Sequence, residues 1–364
     1  MSRKFPRKLK RIVIKIGSSV IATHEMYPSI DRLKGLVKEI CLLLDKGCEI
    51  ILVSSGAIVL GMGELKKKTR DLDLAQIQAT AALGQTKLMD TYNEYFWKTN
   101  KRLCAQVLLT WDDFDNRARF NNASNTLRAL IKMGILPVVN ENDTISTDEI
   151  KFGDNDRLAA MVASMVKADL LLMLSDVEGL YDVKGGQKEY LDEVKEITKD
   201  IESIARGTSN KQVSKGGMSA KLEAIKIASK ADIPCVIASG RTLNVIQRVV
   251  EGERVGTFFV EHEEKLLAKK HWVSFGAKPK GILVIDDGAR DALLKGGKSL
   301  LLPGIYSSSG HFKKDDVVIV KNRQDHEIAR GIVNYSSTDL DKIQDKKGKP
   351  EVIHVDNLVF AAKF

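Results

Sequence analysis

The chain has 364 residues and a net charge of +9, with 43% hydrophobic and 29% charged residues. This composition is typical of a globular protein, and the length suits two domains better than one. No apolar run reaches the roughly 18 residues that a membrane helix needs, so we expect no membrane segment.

The positive charge is unevenly distributed. Residues 1–11 contain six bases and no acid, residues 12–275 are balanced, and residues 276–364 carry an excess of three bases. A nucleic-acid surface needs clustered Lys and Arg on a folded face, so RNA is not expected as the main partner. We interpret residues 1–10 as a solvated basic arm.

The cysteines lack the spacing of a metal site. No C-x-x-C pair occurs, and the histidines are scattered, so zinc is not expected. This pattern favours reduced thiols in the cytoplasm. The cysteines are Cys41, Cys48, Cys104 and Cys235.

Residues 11–239 predict alternating strands and helices. We place strands at 11–16, 49–53, 103–109, 135–140, 170–175 and 234–239, and helices at 30–46, 75–98, 122–133, 156–166 and 219–230. Continuous apolar strands alternating with helices predict an α/β fold whose mostly parallel sheet is covered on both faces. Such sheets bind ligands beyond the carboxyl ends of their strands.

The pattern changes after residue 275. Short strands are predicted at 282–285, 317–320, 328–333 and 358–361, with a helix at 289–295 and turns at Gly296-Gly297 and 307–310. We therefore predict a catalytic domain at 11–275 and a small β-barrel-like domain at 276–364.

Two common nucleotide motifs are missing. The G-x-x-x-x-G-K-[ST] loop is absent, and Gly61-Met-Gly63 lacks the third glycine of a dinucleotide site. Lys15 instead lies within an apolar strand that ends at Gly17 and Ser18. A buried ammonium needs an anion, which indicates a phosphate contact; the alternative is an edge strand whose lysine reaches solvent.

Polar clusters follow several predicted strands. Ser54-Ser55-Gly56 follows the second strand, residues 140–143 read N-E-N-D, and residues 153–156 read G-D-N-D. Helix capping would account for one residue of each acidic cluster. The density of polar groups favours binding of amino and carboxylate groups.

Two later segments suit a nucleotide. Ser175 and Asp176 follow a strongly apolar strand, and residues 215–221, K-G-G-M-S-A-K, lead into a helix whose N-terminus favours anions. The alternatives are an ordinary polar turn and a surface loop with incidental lysines.

Together, K-I-G-S-S, V-S-S-G-A, N-E-N-D, G-D-N-D, L-S-D-V-E-G-L-Y and G-G-M-S-A-K resemble the amino acid kinase family in their order along the chain. The resemblance covers about residues 11–260, and G-I-L-V-I-D-D-G-A at 281–289 resembles a PUA domain. Among family members, the motifs are most similar to those of enzymes that phosphorylate the side-chain carboxylate of L-glutamate in the first step of proline biosynthesis.

The resemblance implies ATP and Mg²⁺ as cofactors and a role for each motif. Lys15 and Lys221 would stabilise the transferring phosphoryl group, with Asp154 holding them. The residues implied to bind glutamate are Ser55, Asn140, Asp143, Asn155 and Asp156. Those implied to bind ATP are Lys15, Gly17, Ser175, Asp176, Lys215, Gly216, Gly217, Met218, Ser219, Ala220 and Lys221. Lys215 and Ser175 each replace a threonine that is frequent in the family.

The resemblance also implies feedback inhibition by proline, a homo-oligomer (dimer or tetramer) and a separate glutamate-5-semialdehyde dehydrogenase that takes the product. Alternatives on the same fold are acetylglutamate, aspartate, carbamate and nucleotide monophosphate kinases. RNA binding through the PUA domain is an alternative from another class.

Overall fold

The computed structural model describes residues 3–66, 72–145, 154–184, 187–207, 217–260, 279–342 and 351–360. They form two compact units, the first containing most of residues 3–260 and the second residues 279–360. The predicted domain boundary at 275/276 lies outside the described residues. Within the described parts, no helix combines the length and the apolar character needed to span a bilayer.

The first unit is built on an eight-stranded sheet in the order β3-β4-β2-β1-β5-β9-β10-β8. All neighbouring strands are parallel except β9 and β10. A separate hairpin pairs β6 with β7. The strands are β1 (Arg11–Ile16), β2 (Glu49–Ser54), β3 (Cys104–Leu109), β4 (Leu136–Glu141), β5 (Leu170–Ser175), β6 (Tyr181–Lys184), β7 (Gln187–Tyr190), β8 (Glu193–Val194), β9 (Cys235–Ser239) and β10 (Thr257–Phe259).

Helices cover both faces of this sheet. They are α1 (Ser18–Ile21), α2 (Ile30–Asp45), α3 (Ala57–Leu65), α4 (Leu74–Asn100), α5 (Trp111–Asp115), α6 (Arg117–Lys132), α7 (Asp154–Val166), α8 (Lys199–Gly207), α9 (Met218–Lys230) and α10 (Val245–Val250). Ile12, Ile14 and Ile16 of β1 share one core with α2, α4 and α10. Side chains alternate along a strand, so Val13 and Lys15 belong to the opposite face, and α7 packs against β1, β2, β4 and β5.

The helices α3 and α4 cross with their backbones in close contact, and glycine permits this approach. A Cβ added to Gly84 would lie 1.8 Å from the carbonyl oxygen of Ala57, and one added to Gly61 would lie 2.0 Å from that of Thr80. Helix α4 begins with a capping box between Asp73 and Gln76. The crossing fixes α4 against the segment that follows β2.

The predicted strands and helices are confirmed to within a few residues, with α6 beginning five residues earlier than predicted. Other elements of this unit were not predicted: α1, α3, α5, α8, α10, β6, β7, β8 and β10. Gly61-Met-Gly63 lies within α3, not in a nucleotide loop.

The interpretation of the N-terminal arm as solvated is wrong for its first described residue. Arg3 is buried; its guanidinium donates to the carbonyl oxygens of Asp192, Val255 and Gly256 and stacks 5.2 Å from the ring centre of Phe258. The backbone carbonyls and the aromatic face compensate for the burial of the charge. The start of the chain is therefore attached to the region around β10.

The second unit is a five-stranded mixed sheet in the order β12-β11-β13-β14-β15, in which only β11 and β13 are parallel. Its elements are β11 (Gly281–Ile285), α11 (Asp287–Gly296), β12 (Ile305–Gly310), β13 (Val317–Lys321), β14 (Glu327–Ile332), α12 (Ser337–Lys342) and β15 (Leu358–Phe360). The turn predicted at 307–310 is wrong, because those residues pair with β11 as part of β12. β12 is an edge strand of this sheet, and its serines are compatible with strand pairing.

The α3–α4 crossing yields a prediction with an internal control. Gly84→Ala forces a methyl group against a backbone carbonyl and should destabilise the protein by about 1–3 kcal/mol. Gly35 of α2 has open space around its Cα, so Gly35→Ala should stabilise the protein by about 0.5–1 kcal/mol, because alanine is the better helix former. Urea unfolding followed by circular dichroism measures both, and effects of the same sign would contradict the packing described.

Candidate active site

The candidate site lies at the carboxyl ends of the central strands. β1 has β2 on one side and β5 on the other. Successive strands are therefore added first on one side of β1 and later on the other. Open α/β sheets bind ligands at such a switch point. Lys15 lies near the end of β1, opposite Val53 and Met173, and Ser175 ends β5.

Asp156 bridges the two lysines predicted from the sequence. Its Oδ1 lies 2.6 Å from Lys15 Nζ, and its Oδ2 lies 3.2 Å from Lys221 Nζ. All three side chains are buried, with Lys15 and Lys221 each 6% exposed and Asp156 fully enclosed. Helices α7 and α9 deliver Asp156 and Lys221 to the face of β1 that carries Lys15. The two ammonium groups therefore converge on one place.

The electrostatics of this cluster follow from its burial. Desolvation lowers the pKa of Lys15, and the repulsion of Lys221 adds to this shift while Asp156 and the more distant Asp176 oppose it. Burial by itself raises the pKa of Asp156, but the two lysines outweigh it and hold the pKa below its usual range. Asp156 is therefore ionised, and Lys15 gains from any further anion that reaches it.

Asp156 contacts both lysines, a role that the sequence interpretation did not give it. The sequence interpretation gave this role to Asp154 and placed Asp156 with the amino-acid substrate. In the structure Asp156 contacts both lysines, while the side chain of Asp154, the first residue of α7, lies outside the described residues. The role expected for Asp154 therefore stays a prediction, and Asp156 joins it as a residue that contacts the lysines.

Two glycine positions open the site to an anion. A Cβ on Gly17 would lie 3.2 Å from the carbonyl oxygen of Leu174 and 3.7 Å from Lys15 Nζ, so a side chain here would crowd the backbone of Leu174 and contact the ammonium. Gly217 is the N-cap of α9 and offers no side chain to its first amides. An exposed helix N-terminus next to two lysines suits a polyphosphate.

The remaining residues expected to bind ATP are only partly described. Ser175 is buried, and its hydroxyl accepts from the amide of Val177. Asp176 is exposed, and its charge acts on Lys15. Met218, Ser219 and Ala220 form the first turn of α9. Lys215 and Gly216 lie outside the described residues.

A second polar group surrounds Asn155, beside the phosphate region. The Asn155 Nδ2 lies 3.0 Å from Ser55 Oγ and 2.9 Å from Asn140 Oδ1, which brings together three of the residues expected to bind the amino acid. Asp143 lies half-buried in the turn after β4. The Oδ1 of Asn155 is buried without a hydrogen-bond partner in the described structure.

Sequence reasoning predicted the helix behind this group but missed the polar side chains that it contributes. Gln85 of α4 accepts from Asn140 Nδ2 at 2.8 Å, and Tyr92 of the same helix exchanges a hydrogen bond of 3.0 Å with Ser54. Gln85 occupies the helix face that also carries the buried Ala81, Leu88 and Met89. A polar residue on an otherwise apolar face was the signal that could have identified it.

The cysteines are confirmed as free thiols, each buried or half-buried. Burial raises the pKa of Cys41 to about 11 and that of Cys104 to about 12, so these two thiols are poor nucleophiles. Among the described residues, His, Cys, Asp and Glu form no group of three or more suited to a metal ion.

Comparisons with known proteins cover nearly the whole chain. A model of the amino acid kinase family matches residues 10–239, and a PUA domain model matches residues 281–355. Three relatives carry the name Glutamate 5-kinase. That of Dictyoglomus turgidum is 44% identical (96% of this chain, 97% of that protein), that of Caldanaerobacter subterraneus subsp. tengcongensis is 42% identical (96% and 97%), and that of Syntrophotalea carbinolica is 40% identical (99% and 99%).

A solved structure supports the fold of the first unit. Carbamate kinase from Giardia lamblia bound to AMP-PNP aligns with a TM-score of 0.51 at 15% identity, covering 70% of this chain and 99% of that one. At this identity the likeness establishes the fold and nothing finer.

The bridged lysines lead to a stability prediction. Asp156→Leu removes the carboxylate that contacts both buried ammonium groups and should cost about 3–5 kcal/mol of unfolding free energy. The triple variant Lys15→Met/Asp156→Leu/Lys221→Met removes every charge and should recover most of that loss, because apolar packing can replace a buried ion cluster. Urea unfolding measures both. A triple variant no more stable than Asp156→Leu would show that the three charges do not act together.

Proposed function

The chain belongs to the amino acid kinase family, and from that premise we propose that it transfers the γ-phosphoryl group of ATP to the side-chain carboxylate of L-glutamate. The observation that carries the proposal is the pair of buried lysines held by Asp156 at the switch point of the sheet. The reaction is supported further by full-length relatives, named Glutamate 5-kinase, at 40–44% identity. The products are L-glutamyl 5-phosphate, an acyl phosphate, and ADP, and this reaction is the first step of proline biosynthesis.

The chemistry requires positioning and positive charge more than proton transfer. An oxygen of the glutamate side-chain carboxylate attacks the γ-phosphorus, and the bond from that phosphorus to the β–γ bridging oxygen breaks. The attacking carboxylate is already ionised at pH 7, so no general base is needed. Lys15 would stabilise the phosphoryl group from the glutamate side and Lys221 from the nucleotide side, and Asp156 would hold both ammonium groups in place.

Mg²⁺ accompanies ATP in this reaction and neutralises charge on the phosphate oxygens. Magnesium usually binds through substrate phosphates with one or two protein carboxylates. The two ammonium groups and the start of α9 at Gly217 fit the phosphates of such a complex, and Asp176, whose charge acts on Lys15, is an exposed carboxylate.

The direct test is a hydroxamate assay. Hydroxylamine traps the acyl phosphate formed from ATP, Mg²⁺ and an offered acid. We expect hydroxamate with L-glutamate and little with N-acetylglutamate or aspartate, while carbamate or a nucleotide monophosphate should release no ADP. A preference for any of these other acceptors would overturn the assignment of substrate while leaving the family unchanged.

The lysine roles are tested in the same assay. Lys15→Ala or Lys221→Ala should lower turnover at least ~100-fold, the scale for losing one preorganised charge contact. Lys226→Ala is the matched control, because Lys226 lies on the same helix α9 but pairs with Glu202 and Glu223 away from the site. Near-normal turnover in either site variant, or an equal loss in the control, would refute the roles.

The buried position of Lys15 predicts a pH dependence. Its pKa is below the usual 10.5 in the free protein, and activity needs its protonated form, so activity falls as pH rises through that pKa. ATP phosphates favour the ammonium form and raise the pKa again. In pH–rate profiles, the fall of kcat/KM for ATP at high pH (its alkaline limb) should therefore lie below pH 10.5. It should also lie at a lower pH than the alkaline limb of kcat. Coincident limbs would contradict this environment for Lys15.

We propose further properties that rest on the resemblance to these relatives. The protein acts in the cytoplasm as a homo-oligomer, and proline inhibits it at or near the glutamate pocket. A separate glutamate-5-semialdehyde dehydrogenase consumes the acyl phosphate, whose lability favours prompt transfer. Residues 11–275 carry catalysis and residues 276–364 form the PUA domain, where RNA binding would be a secondary activity at most.

A further inference from the structure

We infer that Gln85 is a positioning residue. By accepting from Asn140, it holds the Asn140 amide, and through it the amide of Asn155, in the direction that the backbone sets, and it thereby makes the pocket select its substrate by the α-ammonium group. This inference rests on the proposed function and adds a source of specificity to it. Gln85 is not among the residues that the sequence interpretation assigned to the site.

The direction of each amide is set by backbone groups whose roles are unambiguous. The backbone N–H of Glu141 donates to Asn140 Oδ1 at 2.9 Å. An N–H can only donate, so this contact identifies the oxygen of the Asn140 amide. The Nδ2 of Asn140 must then face the other way, where it donates to Gln85 Oε1 at 2.8 Å.

Asn155 is fixed in the same manner. Its Nδ2 lies 2.9 Å from Asn140 Oδ1 and 3.4 Å from the backbone carbonyl oxygen of Ser54, and both of these atoms can only accept. A flipped Asn155 would place its oxygen against two acceptors. The observed orientation is therefore the one that the network enforces, and it leaves Asn155 Oδ1 as a buried acceptor without a donor.

A buried acceptor without a donor costs about 1–3 kcal/mol, and a ligand that supplies an N–H recovers this cost. The α-ammonium of an amino acid offers three such donors. A 2-oxo acid presents a carbonyl oxygen in the same place, and glutarate presents only hydrogens on carbon. The fixed Asn155 Oδ1 therefore favours glutamate over both analogues.

Gln85 is itself held firmly enough to direct this network. It is 9% exposed, and its Nε2 donates to Gln106 Oε1 of β3 at 2.8 Å. Its chain neighbour Gly84 makes the close backbone contact with Ala57, just after Ser55 and Gly56. The position of Gln85 relative to the pocket is thus fixed by the α3–α4 crossing.

The test compares binding of glutamate, 2-oxoglutarate and glutarate by calorimetry with the full-length protein. Gln85→Met has a similar volume but cannot accept from Asn140. We expect it to weaken glutamate binding about tenfold and to change the binding of 2-oxoglutarate and glutarate less than threefold, with ATP affinity unchanged. Equal weakening of all three acids would indicate a merely structural role and overturn the inference, as would an unchanged preference for glutamate.

Two further variants keep the test decisive. Gln85→Glu still accepts from Asn140 Nδ2 and should retain the preference for glutamate over 2-oxoglutarate within about threefold. If this preference fell as far as in Gln85→Met, the inference would be contradicted, even if the Met variant folds poorly. Thr86→Met places a methionine at the exposed neighbouring position of α4 and should leave the preference unchanged. Failure of the unaltered protein to phosphorylate glutamate would instead refute the proposed function.

Discussion

One carboxylate between two ammonium groups, in a space closed to water, is the interaction on which the site depends. Asp156 contacts Lys15 and Lys221 at 2.6 and 3.2 Å. Without this carboxylate the two cations would repel each other across a medium that screens poorly. With it, they stay together at one place, where the phosphates of a nucleotide can bind both. The same arrangement therefore serves stability in the free protein and charge stabilisation during phosphoryl transfer.

The fold provides this cluster from three distant parts of the chain. The parallel sheet places Lys15 at its switch point, α7 brings Asp156 across one face, and α9 brings Lys221 beside it. A second set of contacts, from α4 through Gln85 and Asn140 to Asn155, adjoins the cluster. The phosphate region is thus organised by charge, whereas the amino-acid region is organised by the direction of neutral amides.

Much of this could be predicted from sequence, because it depends on local patterns. Apolar strands with Lys15 inside one of them, and polar turns at strand ends, indicated a parallel sheet with a phosphate site. The contact of Asp156 with both lysines was not predicted, because it depends on the phase of α7, which packing decides. Gln85 was missed because one glutamine on a buried helix face indicates a polar contact but not which residue it contacts. Arg3 looked like part of a solvated arm, since its carbonyl partners lie some 190 to 250 residues further along the chain.

The most direct test of the central claim is a crystal structure with Mg²⁺, a non-hydrolysable ATP analogue and L-glutamate. The account predicts that Nζ of both Lys15 and Lys221 lies within hydrogen-bonding distance, about 3.2 Å or less, of the terminal phosphoryl group or its bridging atom, with Asp156 still between them. A complex in which either ammonium is remote from the phosphates, or in which another carboxylate holds the two lysines, would contradict it.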